Sequence, residues 1–140
     1  MLNRVLLVDD DDVTLMICKL RLLHSKFCKE ISTVENGESA DKYLEEQLAL
    51  PENERKIPDI IFLDINMIGM SGWDFLEEFE NKYKHIFKNI NIEILTSSLD
   101  PRDEEIAKKH PLVKGFISKP LTDESLKKLS ESDLYKSFFL

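Results

Sequence analysis

The chain has 140 residues, 42% apolar and 33% charged, with 27 acidic against 19 basic side chains and a net charge of −8. That length fits one domain with a sizeable core, and the acidic balance argues against a surface that grips nucleic-acid phosphates. No apolar run approaches the roughly 20 residues of a membrane span, no cleavable leader pattern opens the chain, and two cysteines, Cys18 and Cys28, suit neither a disulfide framework nor a zinc site, so a cytoplasmic protein with reduced thiols is expected.

Residues 4–9 read as a buried strand whose apolar run, Val5 to Val8, delivers four consecutive aspartates, Asp9 to Asp12. Clustered carboxylates at the end of a buried strand repel one another and are costly unless something neutralises them. A hard divalent cation is the simplest neutraliser. Asp12 reads as the N-cap of a helix in which Val13, Met16, Ile17, Leu20 and Leu23 recur at helical spacing. Residues 31–35 form a short strand closed by the turn signal Asn36-Gly37, and Ala40, Tyr43, Leu44 and Leu48 mark a second helix. The polar, Pro-bounded stretch 50–58 is a long loop, read as a tolerated insertion, with a partner surface as the alternative.

Residues 59–64 are a third buried strand. Gly69 and Gly72 bracket a turn, and Phe75, Leu76, Phe79, Tyr83 and Ile86 give a third helix, with Trp73 packing at its start. Residues 91–96 are the fourth strand, and Asp100-Pro101 is an N-cap with proline at the first helical position of a helix ending near His110-Pro111. Residues 113–118 are the fifth strand, and Thr122 caps a last helix carrying Leu126 and Leu129. His24, His85 and His110 read as solvent-exposed helix residues away from every strand end. The division expected is 1–130 as the domain and 131–140 as a short tail or extension of the last helix. Its Phe138-Phe139-Leu140 end either packs locally or serves as a docking or dimer-forming tail.

Alternating strand and helix patterns predict an α/β fold, a doubly wound five-stranded parallel sheet with helices on both faces. Short, continuously apolar strands are what a sheet buried on both sides requires. In such sheets ligands sit beyond the carboxyl ends of the strands. Those ends supply Asp9 and Asp10, Asp64, Thr96, and the pair Lys119-Pro120. Three carboxylates suit Mg²⁺ (or Mn²⁺), with Lys119 adding a further positive charge. A carboxylate so placed can attack phosphorus and form an acyl phosphate, while cations neutralise the transferring oxygens. Each residue also has a plainer reading. Asp11 and Asp12 suit a helix start, Thr96 a turn cap, Lys119 a surface lysine and Phe116 fixed core.

Four segments in register, Val5 to Asp10, Pro58 to Met67, Ile94 to Ser97 and Gly115 to Pro120, resemble the receiver domain of two-component response regulators, over about residues 3–130. The resemblance implies a flavodoxin-like (βα)5 fold with strand order 2-1-3-4-5. It implies Mg²⁺-dependent transfer of a phosphoryl group to an aspartate from a histidine kinase or a histidine phosphotransfer protein. By position, Asp64 matches the acceptor, Asp10 the direct metal ligand and Asp9 the carboxylate that holds metal-bound water. The backbone carbonyl of Asn66 matches a further metal ligand, Thr96 and Phe116 the switch residues, and Lys119 the phosphate-binding lysine. Lys119-Pro120 resembles a bond the family holds in cis. Asn66 and Ser98 fall at the positions that flank the phosphate.

The chain departs from the family at Ile68, where proline is usual, which should loosen the loop after Asp64. Its switch aromatic is Phe, without the hydroxyl of the also common Tyr. The few residues after the last helix suggest a stand-alone receiver that signals by binding an unknown downstream protein through the fourth helix, fifth strand and fifth helix, by phosphorelay, or as a phosphorylation-dependent homodimer. Direct nucleic-acid or membrane binding is not expected, and neither is enzymatic turnover beyond self-catalysed phosphotransfer and autodephosphorylation. Two alternatives stand beside this reading. One is a haloacid-dehalogenase-like phosphatase with Asp9 as nucleophile and Asp11 as acid/base. The other is a phosphorylation-independent, receiver-like interaction module.

Overall fold

The computed structural model describes all of Met1–Leu140. Five strands, β1 (Leu2–Val8), β2 (Cys28–Val34), β3 (Ile60–Leu63), β4 (Asn91–Thr96) and β5 (Val113–Ser118), alternate with helices α1 (Asp12–His24), α2 (Gly37–Leu48), α3 (Gly72–Lys82), α4 (Pro101–Lys109) and α5 (Asp123–Glu131). All neighbouring strands pair in parallel, in the order β2-β1-β3-β4-β5. This is the doubly wound sheet that the strand–helix alternation predicts, in the flavodoxin-like order that the resemblance implies.

Alternate strand residues feed two cores. Leu6, Val8, Ile61, Leu63, Ile92 and Ile94 pack under α2, α3 and Ala107 of α4. Val5, Leu7, Ile60, Phe62 and Leu95 pack under α1, α5 and the C-terminal segment. That segment turns away at Ser132 and ends in a 3-10 turn, Lys136–Phe139. Tyr135 is fully buried, its hydroxyl donating to Glu93 Oε2 at 2.9 Å. Both cysteines are buried, and burial pushes the Cys28 thiol up to about 12.

Several elements differ from the sequence expectation. β2 starts three residues earlier, at Cys28. The N-cap of α1 is Asp11, whose side chain accepts from the Val13 and Thr14 amides, and Asp12 is the first helical residue. α3 ends at Lys82; beyond it Phe87 is buried while Ile86 is 51% exposed. The 50–58 stretch is the expected loop, and it is tied to α2. Arg55 donates to the Leu48 and Leu50 carbonyls, Lys56 N–H to Gln47 Oε1, and Tyr43 OH to Lys56 O.

The most consequential difference is in α1, which is apolar on two faces. Leu15, Cys18 and Leu22 enter the core. Val13, Met16, Ile17, Leu20 and Leu23 form the opposite face and are between 45% and 63% exposed. Singly exposed apolar residues are ordinary, but these five are neighbours on one helix face.

Candidate functional site

The carboxyl ends of β1 and β3 lie side by side, because Val8 pairs with Leu63. Asp9 and Asp64 therefore leave the sheet together, each only 5% exposed, while Asp10 is exposed. One carboxylate oxygen from each of the three lies within 4.8 Å of the others. β4 ends beside β3, delivering Thr96, which is fully buried. β5 brings in Lys119, whose N–H donates to Thr96 O at 2.8 Å. The Lys119-Pro120 bond is cis, as the resemblance implies.

Lys119 Nζ donates to Asp64 Oδ2 at 3.0 Å and forms a closer ion pair with Asp9 Oδ2. Burial works against the charge of Lys119, but its bonds to the Asp9 and Asp64 carboxylates outweigh it and hold the ammonium above its ordinary range. Burial pushes the Asp9 carboxyl above the usual carboxylate range, with the Lys119 bond and the Asp11 amide pulling against it. The second oxygens are engaged by local amides. Asp11 N–H donates to Asp9 Oδ1 at 2.9 Å, and Asn66 N–H donates to Asp64 Oδ1 at 3.1 Å. Asp10 Oδ2 accepts from Ile68 N–H at 3.3 Å. No buried side-chain nitrogen or oxygen is left without a partner.

This donor set fits a small hard cation. Every candidate ligand is an oxygen, two of the three carboxylates are buried, and Asp10 is open to solvent, as an ion that keeps waters requires. Three converging negative charges against one lysine leave the site short of positive charge, which a divalent ion supplies.

The loop after Asp64 is shaped by glycine. A Cβ on Gly72 would lie 2.5 Å from Asp64 O and 2.6 Å from Ile65 Cα, so only glycine lets α3 start against the chain leaving β3. Gly69 has φ +83°, a left-handed position. Thr96 Oγ1 accepts from Ser98 N–H at 3.2 Å, leaving the hydroxyl hydrogen available to donate. Ser98 Oγ donates to Asp103 Oδ2 and also accepts from Asp100 N–H, which ties the site's rim to α4.

Phe116 is half-buried against the core. Asn66 is exposed in the loop. Beside Lys119, a cleft of about 390 Å³ opens between α1 and the loop after β5, lined by Thr14, Ile17, Cys18, Lys119 and Pro120 among others. Asp11, the acid/base of the phosphatase alternative, is occupied as a helix cap.

Glu38 is a site neighbour that the sequence reading missed. Its Oε1 accepts from Met70 N–H at 3.1 Å across the loop. Nothing in the sequence distinguishes it from any acidic residue in a first helical turn.

A family model described as the response regulator receiver domain matches residues 5–131. The chain is 28% identical over 123 residues to response regulator PleD of Caulobacter vibrioides, covering 88% of this chain and 24% of that protein. It is 29% identical over 140 residues to a protein-glutamate methylesterase/protein-glutamine glutaminase of Treponema denticola, covering 98% of this chain and 34% of that protein. The chain thus spans about a quarter to a third of the length of these curated relatives. Among solved structures, a two-component response regulator from Cytophaga hutchinsonii superposes with a TM-score of 0.82 at 34% identity, over 91% of this chain and 93% of that one. A chemotaxis protein, CheY4 of Vibrio cholerae, superposes with a TM-score of 0.69 at 25% identity, over 92% and 96%.

Proposed function

From the chain's membership of the response regulator receiver family, we propose that it accepts a phosphoryl group on Asp64 in a Mg²⁺-dependent reaction and signals through the conformational change that follows. The observation that carries this reading is the contact of one lysine with two buried carboxylates, beside a third that is open to solvent.

In the proposed reaction an Asp64 oxygen attacks the phosphorus of a phosphohistidine. The P–N bond breaks as the O–P bond forms, and the imidazole leaves with the bonding pair. Lys119, already on Asp64 Oδ2, moves its charge onto the phosphoryl oxygens. Asp9, Asp10 and the Asn66 backbone carbonyl would hold Mg²⁺, with Asp64 as a shared ligand. The bound ion supplies positive charge for the phosphoryl oxygens and fixes their orientation. Thr96 turns its free hydroxyl hydrogen to the new phosphate, and Phe116 follows inward by packing alone.

The donor is a histidine kinase or a histidine phosphotransfer protein. The apolar outer face of α1 supports a protein donor, because Ile17 belongs both to that face and to the cleft beside Lys119. The output surface is α4, β5 and α5, read by a downstream protein, a phosphorelay partner or a second phosphorylated copy.

The test is incubation with acetyl phosphate with and without Mg²⁺, followed by intact-mass measurement. A gain of one phosphoryl group that needs Mg²⁺ and vanishes in Asp64→Asn is expected. No Mg²⁺-dependent gain, under conditions that label a control receiver, refutes the reading.

A further inference from the structure

Ile68 lies in the loop that leads from Asp64 to α3. Its side chain is 88% exposed and fixes nothing. The loop is held by two of its own amides instead. Ile68 N–H donates to Asp10, and Met70 N–H donates to Glu38 Oε1 at 3.1 Å.

The first turn of α2 is shaped to receive that loop. A Cβ on Gly37 would lie 2.8 Å from Met70 Cγ and Sδ, so glycine there makes room for the Met70 side chain. The Glu38 carboxylate then reaches over Gly69, 3.2 Å from where a Cβ would stand, to take the next amide. Left-handed Gly69 aims that N–H at Glu38. The loop is therefore pinned at the two amides that flank its most flexible residue, one to the β1–α1 turn and one to α2.

We propose that Glu38 is a positioning residue for the metal site. By holding Met70 N–H, it fixes the loop that presents the Asn66 carbonyl and keeps Ile68 N–H on Asp10. It touches neither metal nor phosphate. This rests on the Mg²⁺ reading above. Glu38 also carries charge near the site, so loss of the hydrogen bond must be separated from loss of the field. Glutamine keeps an acceptor oxygen at the same position without the charge; alanine removes both.

The experiment is calorimetric titration of Mg²⁺ into wild type, Glu38→Ala and Glu38→Gln, with amide hydrogen exchange at Met70 measured without metal. The bond is solvent-exposed, so the expected loss is modest. Glu38→Ala should weaken Mg²⁺ binding about three- to fivefold and speed Met70 exchange. Glu38→Gln should stay within about twofold of wild type on both measures. Glu38→Ala binding like wild type overturns the proposal. So does Glu38→Gln binding as weakly as Glu38→Ala, which would assign the effect to charge alone. Wild type binding no Mg²⁺ refutes the proposed function and the metal role together, whereas normal wild-type binding with an unaffected Glu38→Ala refutes the clamp alone.

Discussion

Lys119 Nζ lies 3.0 Å from Asp64 Oδ2 while pairing more closely with Asp9, so one ammonium bridges the reading's acceptor and one of its metal carboxylates. Its side chain is only 14% exposed, and both carboxylates are buried. The lysine therefore serves the metal-free fold as well as the proposed reaction.

Two opposed effects follow for Lys119→Ala. Without divalent ions, Asp9 and Asp64 lose their only cation, and unfolding in urea with EDTA should show a loss of about 2–3 kcal/mol. Mg²⁺ affinity should rise, because the lysine no longer competes for the same oxygens, and saturating Mg²⁺ should restore much of the lost stability. Labelling of Asp64 should nevertheless slow, since the charge needed by the phosphoryl oxygens is gone. A variant that is stable in EDTA and binds Mg²⁺ no more tightly than wild type would contradict this account.

Glu93 gives a pH dependence of stability. It is 2% exposed on β4 with Tyr135 OH on one oxygen, and burial, only partly offset by the Tyr135 bond and Lys114, pushes its carboxyl up to about 7. The folded state therefore holds this proton more tightly than the unfolded state. Its stabilising contribution is fully present below the ordinary carboxylate range and is lost as pH rises toward 7. Glu93→Gln keeps an acceptor for Tyr135 without the ionisation. Urea unfolding at pH 5 and pH 8 should show the variant up to about 3 kcal/mol more stable than wild type at pH 8, and nearly equal to it at pH 5. Equal stability at both pH values would show that Glu93 ionises freely.

Gly72→Ala tests the packing of α3 against the end of β3. The added Cβ meets backbone rather than a flexible side-chain end, at 2.5 Å from Asp64 O. Either α3 or the strand end must shift. Destabilisation of about 2–3 kcal/mol is expected in chemical unfolding, with slower acetyl-phosphate labelling as Asp64 moves. A variant with wild-type stability and labelling would mean that the helix start adjusts freely.

The strand ends were readable in the sequence because a short apolar run followed by a carboxylate, hydroxyl or lysine is a local pattern. Once the parallel order is known, Asp9, Asp10, Asp64, Thr96 and Lys119 fall at one edge. What was not readable depends on tertiary choice. α1 carries two apolar stripes, and periodicity does not say whether Leu15 or Met16 faces the sheet. Four consecutive aspartates make Asp11 and Asp12 equivalent as caps until the chain's exit angle is known. Glu93 looks like a polar interruption in β4, because its partner Tyr135 lies 42 residues later. Glu38 meets the Met70 amide only when the 64–71 loop folds against α2.

The exposed stripe on α1 yields the prediction that best separates chemistry from docking. Ile17 and Leu20 are 50% and 61% exposed, and core contact on this helix runs through Leu15, Cys18 and Leu22. Replacing either exposed residue by glutamate should leave stability within about 0.5 kcal/mol of wild type. Acetyl phosphate is small and needs no docking surface, so its Mg²⁺-dependent labelling of Asp64 should be unchanged. On the proposed docking, a protein donor buries this face while its phosphohistidine reaches Asp64. Its phosphotransfer to Ile17→Glu should fall at least about tenfold, since a buried unpaired carboxylate at an interface costs well over 1.4 kcal/mol. Transfer from a cognate kinase at the wild-type rate in both variants would exclude α1 as the donor surface and leave the metal site untouched. Loss of acetyl-phosphate labelling in the same variants would instead show that the helix positions Asp9 and Asp10 through its outer face.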